Sequence, residues 1–185
     1  MMQLTRPCAQ MPCREPNSST AGFVNTYPRG KDFELVAFEG DARFAPMYHQ
    51  QAPLAGSTQT IRLVPELVST FDGPCYFSTA SSTGAHMSRT SEAGMEAARC
   101  FDFTRWLREN VSPRDLVVVK MDVEGVEFDL VPQLLRDGAT LRLIDELFIE
   151  CHHLETWGNG PHRYAECLQM YRALQDAGVW THEWF

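Results

Sequence analysis

Three charged residues alternate along one short segment, in which Lys120, Asp122 and Glu124 follow an apolar run. Alternate residues of extended backbone project to the same side, so these three side chains would face one region. A lone buried charge there would be costly, whereas paired ions beside a cleft are typical of functional sites. The segment therefore predicts a polar site. The structural alternative is an internal ion pair with an acid at a helix start.

A second polar cluster, Glu150-Cys151-His152-His153, follows the next apolar run. Together with Asp122, its side chains could supply ligands for a divalent ion. The order of its residues lacks the i, i+4 spacing of helix-borne metal sites, so we predict no metal site. His152 could instead act as a general base near neutral pH, or it could bond to a neighbouring loop.

A third candidate is Glu39, which ends the run FELVAFE and precedes Gly40-Asp41. A carboxylate at a strand end beside a glycine turn can accept two hydrogen bonds from a ribose diol, as in nucleotide-binding sheets. The structural alternative is an acid that caps the next helix.

The elements that must position these residues are predicted from apolar periodicity, caps and turn residues. The predicted strands cover residues 33–39, 61–68, 116–121 and 143–149, with 179–185 as a terminal strand or tail. The predicted helices cover residues 20–27, 41–50, 103–112, 124–137 and 163–177. Pro65 predicts a break in the strand at 61–68. Pro132 predicts a kink in the helix at 124–137, and Gly138 predicts the end of that helix. Residues 78–98, rich in small and polar side chains, are predicted to form a mobile loop.

Alternating strands and helices imply a right-handed parallel α/β sheet, in which ligands bind outside the carboxyl ends of the strands. Glu39, Asp122, Glu124 and the cluster at 150–153 all follow predicted strands. We therefore expect them to meet at one crevice.

Composition limits the classes of protein. The 185 residues, 44% of them hydrophobic, suffice for one packed domain. We predict an unstructured leader at 1–16 and an α/β domain at 17–185. The net charge of −8 argues against a nucleic-acid partner. No apolar stretch reaches the roughly 20 residues of a spanning helix. Without a recognisable secretory signal, we expect a soluble, cytoplasmic chain with no membrane span.

The chain has six cysteines, which are widely spaced and form no C-x-x-C pair. A chain of this size does not depend on disulfides for its stability, so we expect free thiols and neither a zinc ribbon nor a thioredoxin-like site.

The segment from 116 to 152 resembles the signature half of the FkbM-family methyltransferases, class I enzymes that use S-adenosylmethionine. The family's K-x-D-[IV]-E-G-x-E motif matches KMDVEGVE at 120–127, and D-x-x-x-W-L matches DFTRWL at 102–107. Its A-F-E-x-D strand end matches AFEGD at 37–41, and the closing HEWF is similar to the family's last strand. The resemblance covers most of residues 17–185. The family's first strand and D-x-G-A-x-x-G loop are absent, and the leader at 1–16 stands in their place.

The resemblance implies a Rossmann-like three-layer sandwich with a mostly parallel sheet whose N-terminal strand is missing or altered. It implies S-adenosylmethionine as cofactor and a sugar or other small-molecule hydroxyl as acceptor. The cofactor-binding residues would be Glu39, Asp41, Ser18, Ser19 and Asp122. The catalytic residues would be Lys120, Asp122, Glu124 and His152.

Two other hypotheses stay open. One is a catalytically inactive binding or interaction module in which Lys120, Asp122 and Glu124 form a structural ion network. The other is a metal-assisted hydrolase built on Asp122, Glu150 and His152.

Overall fold

A computed structural model of the chain describes residues 33–46, 61–78, 87–154 and 161–184. The leader predicted at 1–16, the helix predicted at 20–27, and Ser18 and Ser19 lie outside these residues.

Nine strands and four α-helices occur within the described residues. The strands are β1 (Leu35–Phe38), β2 (Ile61–Val64), β3 (Leu67–Ser69), β4 (Gly73–Ser78), β5 (Met87–Ser88), β6 (Met95–Asp102), β7 (Val118–Met121), β8 (Glu146–Glu150) and β9 (Trp180–Trp184). The helices are α1 (Phe103–Asn110), α2 (Glu127–Arg136), α3 (Gly138–Leu141) and α4 (Tyr164–Asp176), and a short 3-10 helix covers Ala42–Phe44.

Parallel pairing dominates the part of the fold that carries the candidate residues. Strand β1 pairs with β2, and β8 lies between β7 and β9, with all of these pairs parallel. The four residues of β7 are all buried. This agrees with their almost continuous apolar sequence, because strands of a parallel sheet are covered on both faces.

Neighbouring residues of these strands point to opposite sides and enter different cores. Phe38, Val119 and Leu147 belong to the main hydrophobic cluster. Leu35 and Phe148 belong to a smaller cluster on the other side. The main cluster also receives apolar side chains from all four helices, namely Leu107, Leu130, Leu134, Leu141, Cys167 and Leu174. The helices therefore fix the strands that end at the candidate site.

Strands from the described residues 67–78 and 87–102 form a mixed sheet with the strand order β3-β6-β4-β5. Strand β6 pairs in parallel with β3 and antiparallel with β4. The prediction of a mobile loop at 78–98 is wrong for the described part of that segment, since β5 and half of β6 lie there. Pro65 separates β2 from β3, and the strand predicted at 61–68 is thus divided between two sheets.

Two disulfides correct the expectation of free thiols. Cys75 is bonded to Cys100 across β4 and β6, and Cys151 is bonded to Cys167 between the end of β8 and α4. Linear spacing could not reveal these pairs, because they depend on which strands and helices become neighbours in space.

The helix predicted at 124–137 begins later than expected. Glu124 and Gly125 adopt left-handed backbone, with φ of 53° and 97°, and α2 starts at Glu127. Pro132 lies inside α2 without ending it. Helix α2 ends at Arg136 with Asp137 as its C-cap, so Gly138 follows the helix end as predicted, and it also begins α3.

The other described elements follow the sequence prediction closely. Asp102 caps α1 through the amide of Arg105, and Gly178, with φ of 94°, follows α4. Asp41 caps only the 3-10 helix within the described residues. The fold is mixed α/β with several sheets, some of them parallel. Within the described ranges no helix has the length and apolar character needed to cross a bilayer.

Candidate functional site

The candidate residues follow three parallel strands at their carboxyl ends. Glu39 follows β1, Asp122 follows β7, and His152 lies two residues beyond β8. The negative charge of Asp122 contributes to raising the pKa of Glu150 and, as a minor influence, that of Glu39. Parallel strands end at the same edge, and this common direction brings together residues far apart in sequence.

Lys120 lies in β7 and points toward Asp122. Its side chain is 7% exposed, its Nζ lies 3.2 Å from Asp122 Oδ2, and the ammonium sits 4.6 Å from the centre of the Trp184 ring. Burial disfavours the charge of Asp122, but surrounding positive groups that include Lys120 and His152 outweigh burial and lower its pKa. Asp122 is thus held as a carboxylate by a buried ion pair.

Glu124 reaches the same place through the left-handed turn before α2. Its Oε2 lies 3.4 Å from His152 Nε2. Burial and the nearby charge of Asp122 raise its pKa, while His152 opposes this shift. Left-handed backbone is unfavourable for a residue with a side chain, and such strain is concentrated at functional sites. The turn directs the carboxylate toward the histidine.

Glu127 is the site residue that the sequence analysis left out. It is fully buried, and its Oε2 accepts the amide of Gly125 at 2.8 Å. Its Oε1 lies 2.7 Å from the backbone nitrogen of His152 and 3.1 Å from His152 Nδ1. The available signal in the sequence was its place as the last acid of the motif KMDVEGVE. The structure buries this acid fully, and a fully buried acid needs polar partners.

His152 is fixed between these acids. Its Nδ1 faces Glu127, while its Nε2 lies 3.4 Å from Glu124 Oε2 and 3.8 Å from Asp122 Oδ1. Burial works against the positive form of the ring, but the hydrogen bond to Glu127 and the charges of the acids raise its pKa overall. The ring thus bridges a buried acid and two partly exposed ones.

Glu150 and His153 have different surroundings. Burial, together with the charge of Asp122, raises the pKa of Glu150 to about 7. His153 is buried, and its ring centre lies 4.9 Å from that of Tyr164. The group of close ligand atoms consists of Asp122, Glu124 and His152, and it includes neither Glu150 nor His153.

The two acids near β1 also differ from each other. Glu39 Oε1 accepts the amide of Asp41 at 2.8 Å, and burial raises the pKa of Glu39. The carboxylate of Asp41 binds the side chain of Arg43, and these hydrogen bonds lower its pKa. Asp41 is therefore already engaged by a neighbour. Of the two, Glu39 offers the carboxylate at the strand end.

A family model described as "Domain of unknown function (DUF7870)" matches residues 79–185, more than half of the chain. The chain belongs to this family. The DUF7870 match contains the second half of the site, from Lys120 to His152, whereas Glu39 lies before it. No curated protein and no solved structure matches the chain.

Proposed function

We propose that this chain is an S-adenosylmethionine-dependent O-methyltransferase that acts on a sugar or another small-molecule hydroxyl. The observation that carries the proposal is the cluster of Asp122, Glu124 and His152 beyond the ends of the parallel strands β7 and β8, with Glu39 at the end of the parallel strand β1. This is where open α/β sheets bind their ligands. The proposal includes the finer fold, a Rossmann-like three-layer sandwich, and it agrees with the resemblance of residues 116–152 to the FkbM family.

Glu39 would bind the ribose of the cofactor. A carboxylate can accept hydrogen bonds from both hydroxyls of a ribose, and the amide of Asp41 fixes the orientation of this one at 2.8 Å. Asp122, whose charge acts on Glu39, would lie between the cofactor and the acceptor.

Lys120, Asp122, Glu124 and His152 would face the acceptor. In the reaction, the bond from sulfur to the methyl carbon breaks as the bond from the acceptor oxygen to that carbon forms. The sulfonium becomes the thioether of S-adenosylhomocysteine, and the hydroxyl proton passes to the polar cluster. Holding the oxygen in line and removing its proton are the two tasks of such a site.

The alternative is an inactive binding module, and the buried Lys120–Asp122 ion pair is the observation that favours it. A buried ion pair can be part of a structural network as well as of an active site. Cofactor binding distinguishes the two functions, because only the methyltransferase needs a site for S-adenosylmethionine.

Calorimetric titration of the purified chain with S-adenosylhomocysteine tests the proposal, beside a thermal melt that reports folding. We expect binding, and we expect Glu39→Gln to weaken it by about 1–3 kcal/mol, since a charged hydrogen-bond acceptor is lost. Glu34→Gln is the matched control, because Glu34 lies just before β1 with a side chain that is 74% exposed. A folded chain that does not bind would support the inactive module. Equal affinities of the wild type and Glu39→Gln would overturn the assignment of Glu39.

A further inference from the structure

Three potential metal ligands meet at the polar cluster. One atom each of Asp122, Glu124 and His152 can be chosen so that all three lie within 4.8 Å of one another. Ligands held at about 2.1 Å in a tetrahedral site are about 3.4 Å apart. The distances from His152 Nε2, 3.4 Å to Glu124 and 3.8 Å to Asp122, therefore suit a single ion between them.

The histidine is oriented as metal-binding histidines are. Glu127 uses its two oxygens to accept backbone amides, so it acts as an acceptor, and His152 Nδ1 donates to it at 3.1 Å. In the neutral ring, Nε2 then carries a lone pair directed toward Asp122 and Glu124. A metal ion bound there would take the place of the proton that Nε2 carries when the ring is charged. Histidines that bind metals commonly donate their other N–H to a carboxylate in this way.

The charge of the cluster also favours a cation. Asp122, Glu124, Glu127 and Glu150 lie around His152, and the ammonium of Lys120 contacts Asp122 through Oδ2. The atom of Asp122 that faces His152 is the other oxygen, Oδ1. One carboxylate can thus bind the lysine and a metal ion through different oxygens.

We propose that Asp122, Glu124 and His152 form a binding site for a divalent transition-metal ion, with Glu127 as a positioning residue. One imidazole and two carboxylates form a mixed ligand set that suits Mn²⁺ and Zn²⁺. Three protein ligands leave at least one position for a substrate oxygen. The binding of the ion rests on the geometry of these side chains alone.

The role of the ion in catalysis rests on the proposed function. A hydroxyl bound to the ion would have a lowered pKa and a fixed position, and its proton would leave to water before methyl transfer. His152 would then serve as a ligand. The sequence analysis predicted no metal site because the residue order lacks helical spacing, whereas the ligands come from two strand ends and a turn.

The test is titration of the chelator-treated full chain with Mn²⁺, followed by electron paramagnetic resonance and calorimetry. We expect one ion per chain, with Asp122→Asn and His152→Ala abolishing the binding. Glu127→Gln should weaken it by about 10–100-fold, as loss of an outer-shell partner does. Glu109→Gln, a change on α1 remote from the cluster, is the control and should bind like the wild type.

Each outcome decides the proposal. A folded wild-type chain that binds no Mn²⁺ at millimolar concentration overturns it, as does equal binding by the wild type and the ligand variants. If Asp122→Asn or His152→Ala does not fold, Glu124→Gln replaces it, because Glu124 lies in a turn and is 35% exposed. If the chain binds S-adenosylhomocysteine but does not bind Mn²⁺, the metal site is rejected and the methyltransferase proposal stands, with His152 as its proton acceptor. If the chain binds Mn²⁺ but does not bind S-adenosylhomocysteine, the metal site is supported and the methyltransferase function is rejected.

Discussion

The carboxylate of Glu127 accepts hydrogen bonds from both the backbone and the ring of His152, at 2.7 and 3.1 Å. These residues are 25 positions apart. The contact joins the start of α2 to the loop after β8. It fixes the side chain of His152, on which both the proposed methyl transfer and the proposed metal site depend.

Glu127→Gln should destabilise the fold. An amide has one acceptor oxygen, so its NH₂ group would face either the amide of Gly125 or that of His152, both of which are donors. Loss of a buried acceptor costs about 1–3 kcal/mol. Urea denaturation measures the free energy of unfolding, with Glu109→Gln as the control. Equal unfolding free energies of the Glu127→Gln variant and the wild type would show that the buried contact does not contribute to stability.

The disulfide between Cys151 and Cys167 should stabilise the loop that carries His152. Its cysteines are 16 positions apart, and closing a loop of that size stabilises a protein by about 3 kcal/mol. We expect the Cys151→Ser, Cys167→Ser double variant to unfold at lower urea concentration. Non-reducing peptide mapping should recover cross-linked peptides for this pair and for Cys75–Cys100. Free thiols at all four positions in the purified chain would contradict the structure.

The same disulfides bear on localisation. Disulfides persist in oxidising compartments and are rare in the cytosol. The cytoplasmic location remains a prediction from the sequence, and thiol labelling in intact cells tests it. Blocked cysteines at these four positions would reject the cytoplasmic location, whereas reactive thiols would support it.

Gly40→Ala should destabilise the turn after β1. A Cβ atom at Gly40 would lie 2.4 Å from Cγ and 2.5 Å from Cδ2 of Leu67, closer than real side-chain contacts. Overpacking of this kind costs about 1–3 kcal/mol. In a double-mutant cycle, Leu67→Ala should cost less in the Gly40→Ala background than in the wild type. Strict additivity of the two changes would mean that these residues do not touch.

Asp137, the N-cap of α3, should make the stability of the protein depend on pH because its pKa is lowered in the folded state. Its carboxylate accepts the hydroxyl of Thr140 at 2.7 Å and the amide of Thr140 at 3.2 Å, and it contacts Arg108. These partners lower the pKa of Asp137 from 3.8. A lowered pKa in the folded state stabilises the protein above the unfolded value, and this contribution is lost as the pH falls through the folded value.

The comparison of the wild type with Asp137→Asn isolates this effect. The difference in unfolding free energy should be present at about pH 7. It should shrink as the pH falls below the unfolded value of 3.8 and through the lower folded value, because protonation then removes the charge from both states. Asp129→Asn, a change at an exposed acid of α2, controls for the altered net charge. A difference that does not vary with pH would show that the charge of Asp137 is unimportant.

The local features of this chain could be predicted from its sequence. The apolar run before Lys120 predicted a buried parallel strand, because a strand covered on both faces needs apolar residues throughout. Asp102 marked the start of α1, since the cap and the amide that it binds are three residues apart. The position of Glu39 and Asp122 after strands follows from the same local patterns.

Only the tertiary structure decided how distant residues combine. The cysteine pairs, the mixed sheet that includes β5 and β6, and the contact of Glu127 with His152 all join segments that no local pattern relates. The sequence predicted Glu124 within a helix, but its left-handed backbone directs its side chain toward His152. Strand and helix patterns depend on neighbouring residues, whereas the site depends on which strand ends and loops pack side by side.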